Sequence, residues 1–245
     1  MNTDRMKVSV CLASYNGEKY IKEQIESILL QLSSYDELII SDDGSTDKTI
    51  EIIEAINDKR IILLNHKKKQ GKHGLESVSA NFENALKQST GEFIFLSDQD
   101  DVWNVNKVEK CVEALKNNDL VLHDCEIVNE HMQILMPSYF VFNSSKKGII
   151  RNMFKNSYLG CCMAFRRNIV EHVIPFANRQ IPHDIWLGLN AELRGNVNFM
   201  RESLLKYRRH EQNLSFSGQK SRNSLIFKIK YRLKILLAFI QHNYL

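Results

Sequence analysis

The chain has 245 residues, 43% hydrophobic and 25% charged, a balance that suits one large α/β domain or two small ones and leaves no room for long disordered linkers. Its formal net charge of +4 is a property of the tail, because Lys220, Arg222, Lys228, Lys230, Arg232 and Lys234 follow Gly218 with no acid among them. The remainder is slightly acidic, so nothing points to nucleic acid as a partner.

The five cysteines (Cys11, Cys111, Cys125, Cys161 and Cys162) are odd in number and lack CxxC spacing. Most lie in apolar runs, so they read as small buried hydrophobes in a reducing compartment. With a polar N-terminus and no run near the roughly 18 apolar residues of a spanning helix, the chain reads as cytoplasmic.

"KVSVCLAS" (Lys7 to Ser14) is a short apolar run ending in small polar residues, which predicts a buried strand. A helix follows "YNG", with Ile21, Ile25, Ile28, Leu29 and Leu32 on one face. "ELIIS" predicts a second strand, closed by "DDGSTD", where Thr46 or Asp47 caps the next helix. "RIILLN" predicts a third strand. The basic loop "HKKKQGKHG", a helix near Leu75 to Lys87, and a fourth strand, "EFIFLS", come next.

Beyond it, "DLVLHDCEIV", "LGCCMAF" and the short "VNFM" read as strands, and "HDIWLGLNAEL" reads as a helix with Asp184 in its first turn. Alternation of strand and helix implies a doubly wound, mostly parallel α/β sheet, whose ligands bind beyond the carboxyl ends of the strands. "SYNG", "DDGSTD" and "SDQDD" all fall at such ends. No linker separates the halves. The simplest reading is one domain over 1–218, with a donor half to about 103 and an acceptor half over 104–218, followed by a helix over 219–245.

"SDQDDVW" crowds three carboxylates into four residues after a buried strand. Like charges at that spacing repel and raise one another's pKa values. Side chains at alternate extended positions point the same way, so Asp98 and Asp100 are expected to aim at one point. A hard cation such as Mg²⁺ or Mn²⁺ would relieve the repulsion and leave open positions for a diphosphate.

"ASYNG", "SDDGSTD" and "SDQDDVW", in that order and spacing, resemble glycosyltransferase family 2, whose members move sugars from nucleotide donors on the GT-A fold. The likeness covers most of the first half. "HDIWL" and "YRRHEQNLS" resemble bacterial members that build surface polysaccharide (O-antigen or capsule), rhamnosyltransferases among them.

The resemblance implies an inverting, metal-dependent transfer to a hydroxyl of a glycan acceptor, in many such pathways lipid-linked. Ser14 and Tyr15 would lie at the donor, with Tyr15 stacked on the base. Asp43, with Asp42 close by, would read the base, and Asp98 would face the ribose and the metal. Asp100 would be the principal metal ligand, and His210 either joins the metal or is structural. Asp101 orients the loop, and Trp103 either walls the sugar pocket or packs in the core.

Asp184 is the expected general base, held ionised by its helix N-terminus. His183 either orients the acceptor or lies at the surface. Arg208 and Arg209 either clamp phosphate or form a solvated charge run, and Lys72 and His73 approach the donor. UDP- and dTDP-sugars are equally admissible.

In the tail, Ile226, Ile229, Leu233, Leu236 and Ile240 keep helical spacing among cations. Such a helix either binds the inner face of the cytoplasmic membrane or docks on its own domain or a second subunit. Two rival functions share the sheet. A nucleotidyltransferase would carry a glycine-rich phosphate loop, which "SYNGEKY" lacks. A non-catalytic sugar-nucleotide binder would have no need of Asp98, Asp100 and Asp184 together.

Overall fold

The computed structural model describes residues 6–66, 74–177, 180–211, 213 and 224–244. The first half alternates as the sequence predicts: β1 (Val8–Ser14), α1 (Ile21–Leu29), β2 (Glu37–Asp42), α2 (Thr49–Ile56), β3 (Ile61–Asn65), α3 (Leu75–Gln88) and β4 (Phe93–Asp98). Lys72 and His73 lie outside the described residues.

β1, β2 and β4 are continuous apolar runs buried almost throughout, as strands covered on both faces must be. They pair in parallel in the order β3-β2-β1-β4. The register sets Ser14 beside Asp42, and Ala13 beside Asp98. Three polar strand ends therefore finish along one edge.

Helix α1 turns Ile21, Ile25 and Ile28 to the core. The buried Gln24 of the same face donates to Ser97 Oγ at 2.5 Å, tying the helix to the end of β4. Asp47 stands two residues before α2 and accepts from the Thr49 backbone N–H at 3.0 Å, but the N-cap position itself falls to Lys48, which makes no capping bond, so neither Thr46 nor Asp47 occupies it.

The second half carries β5 (Val102–Trp103), α4 (Lys107–Leu115), β6 (Leu120–Asn129), β7 (Ile134–Met136), α5 (Tyr139–Asn143) and α6 (Ile149–Phe154). It continues through β8 (Met163–Arg166), α7 (Arg167–Val173), α8 (His183–Arg194), β9 (Val197–Arg209) and α9 (Leu225–Tyr244). The same sheet continues through β4-β8-β6-β9-β5, with β7 beside β6. β8 runs antiparallel to both its neighbours, and β6 runs parallel to β9.

Two elements differ from expectation. The "GCC" of "LGCCMAF" forms a 3₁₀ turn over Gly160–Cys162, and only Met163–Arg166 is strand. β9 spans 13 residues where "VNFM" predicts a short strand. Register shifts opposite His123 and Asp124 put Arg201 and Glu202 into solvent, which breaks the alternation that a pattern reading follows.

Helix α9 lies against the domain through the buried Ile235 and Phe239. Trp186 of α8 meets the rings of Phe239 and His242 edge-on, and Asn243 donates to Asn190 at 3.0 Å. Its other face leaves Ile226, Phe227, Leu233 and Leu237 exposed.

Helices α8 and the segment before β8 touch at Gly188. A Cβ on Gly188 would sit 2.3 Å from the Tyr158 ring. Gly188→Ala should destabilise the fold by about 1–3 kcal/mol through overpacking, even after the gain in helix propensity. A thermal melt lowered by several degrees is the expected result, and an unchanged or raised melt would contradict this packing.

Candidate functional site

The edge where β1, β2 and β4 end gathers the polar motifs. Ser14 Oγ donates to Asp42 Oδ2 at 2.8 Å. Asp42 is buried and spends its oxygens locally, accepting from the backbone N–H groups of Gly44 and Ser45 at 3.0 and 2.7 Å and from Ser45 Oγ at 2.6 Å. It shapes the turn, while the following Asp43 meets His66 Nδ1 at 2.9 Å and accepts a short hydrogen bond from Ser77 Oγ. Neither His66 nor Ser77 carries a sequence signal, because each reaches Asp43 only through the fold.

Tyr15 is 44% exposed at this edge. Its backbone is clamped by Gln99, whose amide accepts from Tyr15 N–H at 2.8 Å and donates to the Tyr15 carbonyl at 3.0 Å. Gln99 also lies so close to Gly17 that a Cβ there would fall 2.5 Å from its side-chain oxygen. The residue between the two key aspartates of "DQD" thus joins the first and fourth strand ends.

The acidic cluster divides. Asp98, Asp101 and Cys161 bring one ligand atom each to within 4.8 Å of one another. Asp100 instead meets His210 Nε2 at 2.8 Å and Asn213 Nδ2 at 3.1 Å. The expected pair of Asp100 and His210 is therefore in contact, and Asn213 joins it unforeseen. Asp98 is still within electrostatic reach of both Asp100 and Asp184. Withdrawal from water, then the charge of Asp100, then that of Asp184, push its carboxyl up to about 7.

Burial raises Asp101 well above the usual range, with Asp100 and Asp98 adding to it. Its Oδ1 accepts from the Arg208 backbone N–H at 3.0 Å, so Asp101 does orient the loop against β9.

Two basic groups hold this cluster in place. Lys107 is fully buried, donates from Nζ to the Cys161 carbonyl at 2.8 Å and lies 3.9 Å from the Trp103 ring centroid. Arg208 is also buried. It donates to the Asp100 carbonyl at 2.9 Å and to Glu23 at 2.5 Å, with its guanidinium 4.5 Å from the Tyr20 ring centroid. That replaces both expectations for Arg208, since its donors are committed to backbone and a carboxylate, with none left pointing into solvent. Trp103 is buried, packs beside Phe95 and is core, not pocket wall, because β5 joins the sheet as the antiparallel neighbour of β9.

Asp184 opens α8, as expected, but its environment reverses the expected sign. Burial pushes its carboxyl up to about 6, against lowering by the Ile185 N–H at 2.6 Å and by Asn156 at 3.5 Å. Desolvation outweighs the helix terminus here. His183 is partly buried on the Phe82 ring, 4.1 Å between centroids, and burial lowers its pKa to about 3. It is a neutral packing group and not a surface residue.

The donor set fits a divalent cation. Asp100 and His210 offer oxygen and imidazole nitrogen at 2.8 Å from each other, a hard and borderline pair suited to Mn²⁺. Asp101 Oδ2 is buried with no hydrogen-bond partner among the described residues.

The model of the family "Glycosyl transferase family 2" matches residues 9–174. The chain is 28% identical over 221 residues to the Escherichia coli UDP-Glc:alpha-D-GlcNAc-diphosphoundecaprenol beta-1,3-glucosyltransferase WfgD, covering 86% of this chain and 81% of that one. It is 25% identical over 243 residues to the Shigella flexneri dTDP-rhamnosyl transferase RfbG, covering 91% and 82%. Among solved structures, S. aureus TarS in complex with UDP-GlcNAc superposes with a TM-score of 0.65 at 18% identity, over 96% of this chain and 73% of that one. The α/β sheet is that of the GT-A fold, and the chain belongs to glycosyltransferase family 2.

Proposed function

We propose that this glycosyltransferase moves a sugar, with inversion, from a nucleoside-diphosphate donor to a hydroxyl of a glycan acceptor in bacterial surface-polysaccharide synthesis. The observation that carries the reading is the meeting of Asp100 with His210 at the strand-end edge where Asp98 also senses Asp184. Similarity to WfgD and RfbG, whose names specify UDP-glucose and dTDP-rhamnosyl donors, supports a UDP- or dTDP-sugar.

In this reading the nucleotide lies across the ends of β1, β2 and β4. Tyr15 offers its face to the base. Asp43 accepts from the base N–H, fixed in place by His66 and Ser77. Asp98 faces the ribose. A divalent cation, Mn²⁺ or Mg²⁺, would be held by Asp100 with His210, the two groups the fold brings together, and would neutralise charge on the departing diphosphate; Asp98, which the strand pattern set to aim at the same point, lies instead with Asp101 and Cys161, because the chain bends after β4.

Asp184 takes the proton of the acceptor hydroxyl as that oxygen bonds to the anomeric carbon. The bond from this carbon to the diphosphate breaks on the opposite face, and its electron pair leaves with the nucleotide. A carboxylate raised to about 6 suits that task, being ionised at neutral pH yet more basic than a solvated aspartate.

The acceptor, like that of WfgD, would be lipid-linked. The exposed apolar residues of α9, set among Lys228, Lys230, Arg232 and Lys234 with no acid in the helix, favour an anionic leaflet as the surface it rests on. Among the described residues no helix is long and apolar enough to cross a membrane.

Asp100→Ala should abolish turnover and lose metal-dependent binding of UDP or dTDP, measured by calorimetry with and without Mn²⁺. Equal affinities in all four combinations would remove the metal assignment. Asp184→Asn should keep donor affinity and lower kcat by about 10²–10⁴-fold. In the wild type kcat/KM should rise about tenfold per pH unit and level off above about pH 6, since the base acts only when ionised.

The same carboxyl binds its proton more tightly folded than unfolded, so ionising it costs stability that is intact below about pH 4 and lost as pH rises through about 6. Asp184→Asn should therefore be more stable than wild type by on the order of 2 kcal/mol at about pH 8, with the gap closing by about pH 4. Leu233→Glu with Leu237→Glu should release the protein from phosphatidylglycerol vesicles without lowering its melting temperature, because both side chains face solvent.

A further inference from the structure

Apart from the strand-end edge, the described residues enclose a large concavity that the proposed chemistry leaves unused. An open groove of about 910 Å³ lies between β9 and the segment from Pro137 to Lys147. Its volume is in the range of small-ligand sites. Phe140 and Phe199 form its apolar floor, with ring centroids 5.6 Å apart.

The polar lining is one-sided. Lys146, Lys147 and Arg201 line the groove, are exposed, and meet no carboxylate among the described residues. Its one acid, Asp124, is buried and already accepts from the backbone N–H groups of Cys125 and Phe140 at 2.8 and 2.9 Å, and from Ser138 Oγ. Three cations with no carboxylate partner among the described residues, over one satisfied carboxylate, give this open groove a positive field that draws an anion.

The helices flanking the two lysines carry exposed apolar groups: Val141 and Phe142 on α5, Ile150 and Phe154 on α6. An anionic group attached to hydrocarbon matches both features. The groove is also tied to Asp184. Asn143 donates to Ser145 Oγ at 3.1 Å and to the Asn156 carbonyl at 2.9 Å, and Asn156 reaches Asp184. Lys146 N–H donates to Ser157 Oγ at 3.1 Å. Tyr139, between the groove residues Ser138 and Phe140, is buried within reach of the Asp184 charge.

We propose that this groove is a phosphoryl-binding subsite for the acceptor, in which Lys146, Lys147 and Arg201 hold the diphosphate that joins the acceptor's sugar to its lipid. It shares no residue with the Asp100–His210 pair, so it is separate from the donor's diphosphate site. The assignment rests on the reading of the acceptor as lipid-linked.

The test uses the full chain in EDTA, with inorganic pyrophosphate and geranyl diphosphate as probes, against the triple variant Lys146→Ser, Lys147→Ser and Arg201→Ser. Both probes should bind the wild type, and the triple variant should lose at least tenfold in affinity for each while keeping its melting temperature. UDP binding with Mn²⁺ should be the same in the two proteins. Its absence from both would sink the donor reading alone and leave this subsite standing. Equal probe affinity in the two proteins would overturn the subsite. Sedimentation with phosphatidylglycerol vesicles separates the sources of the phosphoryl group. Retained vesicle binding by the triple variant supports the acceptor's diphosphate, and lost binding would assign the cations to bilayer headgroups and overturn the proposal.

Discussion

The structure depends on keeping several carboxylates close together and partly dry at the end of one strand. Asp98 ends β4, Asp100 and Asp101 follow it within three residues, and Asp184 comes up to them from the start of α8. Their mutual repulsion opposes folding at neutral pH, and the fold answers it with basic groups placed from behind. Lys107 is sunk beneath the cluster, Arg208 grips the Asp100 carbonyl, and His210 meets the Asp100 carboxylate. Arg208 and His210 come from the far end of β9 and the residue after it. The last strand is therefore part of what makes the first half's acidic motif tolerable.

That arrangement explains why the site spans both halves of the chain. The parallel strands supply one wall through their register, and Gln99 locks two strand ends together by pairing with both backbone groups of Tyr15. The other wall is carried by α8 and the loops before it, where Asn156 links Asp184 to the groove loop. A site of this kind holds unfavourable electrostatics in reserve, because raised carboxyl pKa values are free energy stored in the folded state. Asp184 illustrates the trade, since the desolvation that raises its basicity also costs stability.

Helix α9 shows how one element serves two surfaces. Its inner face is fixed by Ile235, Phe239 and Asn243, so docking and exposure are properties of opposite sides of one helix. The exposed side continues toward α6, where Arg232 donates to the Phe154 carbonyl at 3.0 Å and covers its ring. Apolar residues and cations thus share one outer surface near the groove loop.

The sequence by itself determined the alternation of strands and helices in the first half, because runs such as "VSVCLAS" and "FIFLSD" are mostly apolar and each ends in polar residues. It also determined that the polar clusters lie along one sheet edge, since parallel strands with helical crossovers end on the same side. Asp184 was legible as the opening of a helix, and the family motifs were legible as short, ordered words.

Only the tertiary structure decided how those residues divide. Asp98 joins Asp101 and Cys161 while Asp100 turns to His210, because the chain bends after β4 and the extended alternation stops. Arg208, read as a phosphate clamp or part of a solvated charge run, is buried and bonded to backbone and a carboxylate, and Asp184, read as ionised by a helix terminus, is raised by desolvation. Burial and partner choice depend on residues far along the chain, from Asn156, 28 positions before Asp184, to His210, 110 after Asp100, and local pattern carries no information about distances in space.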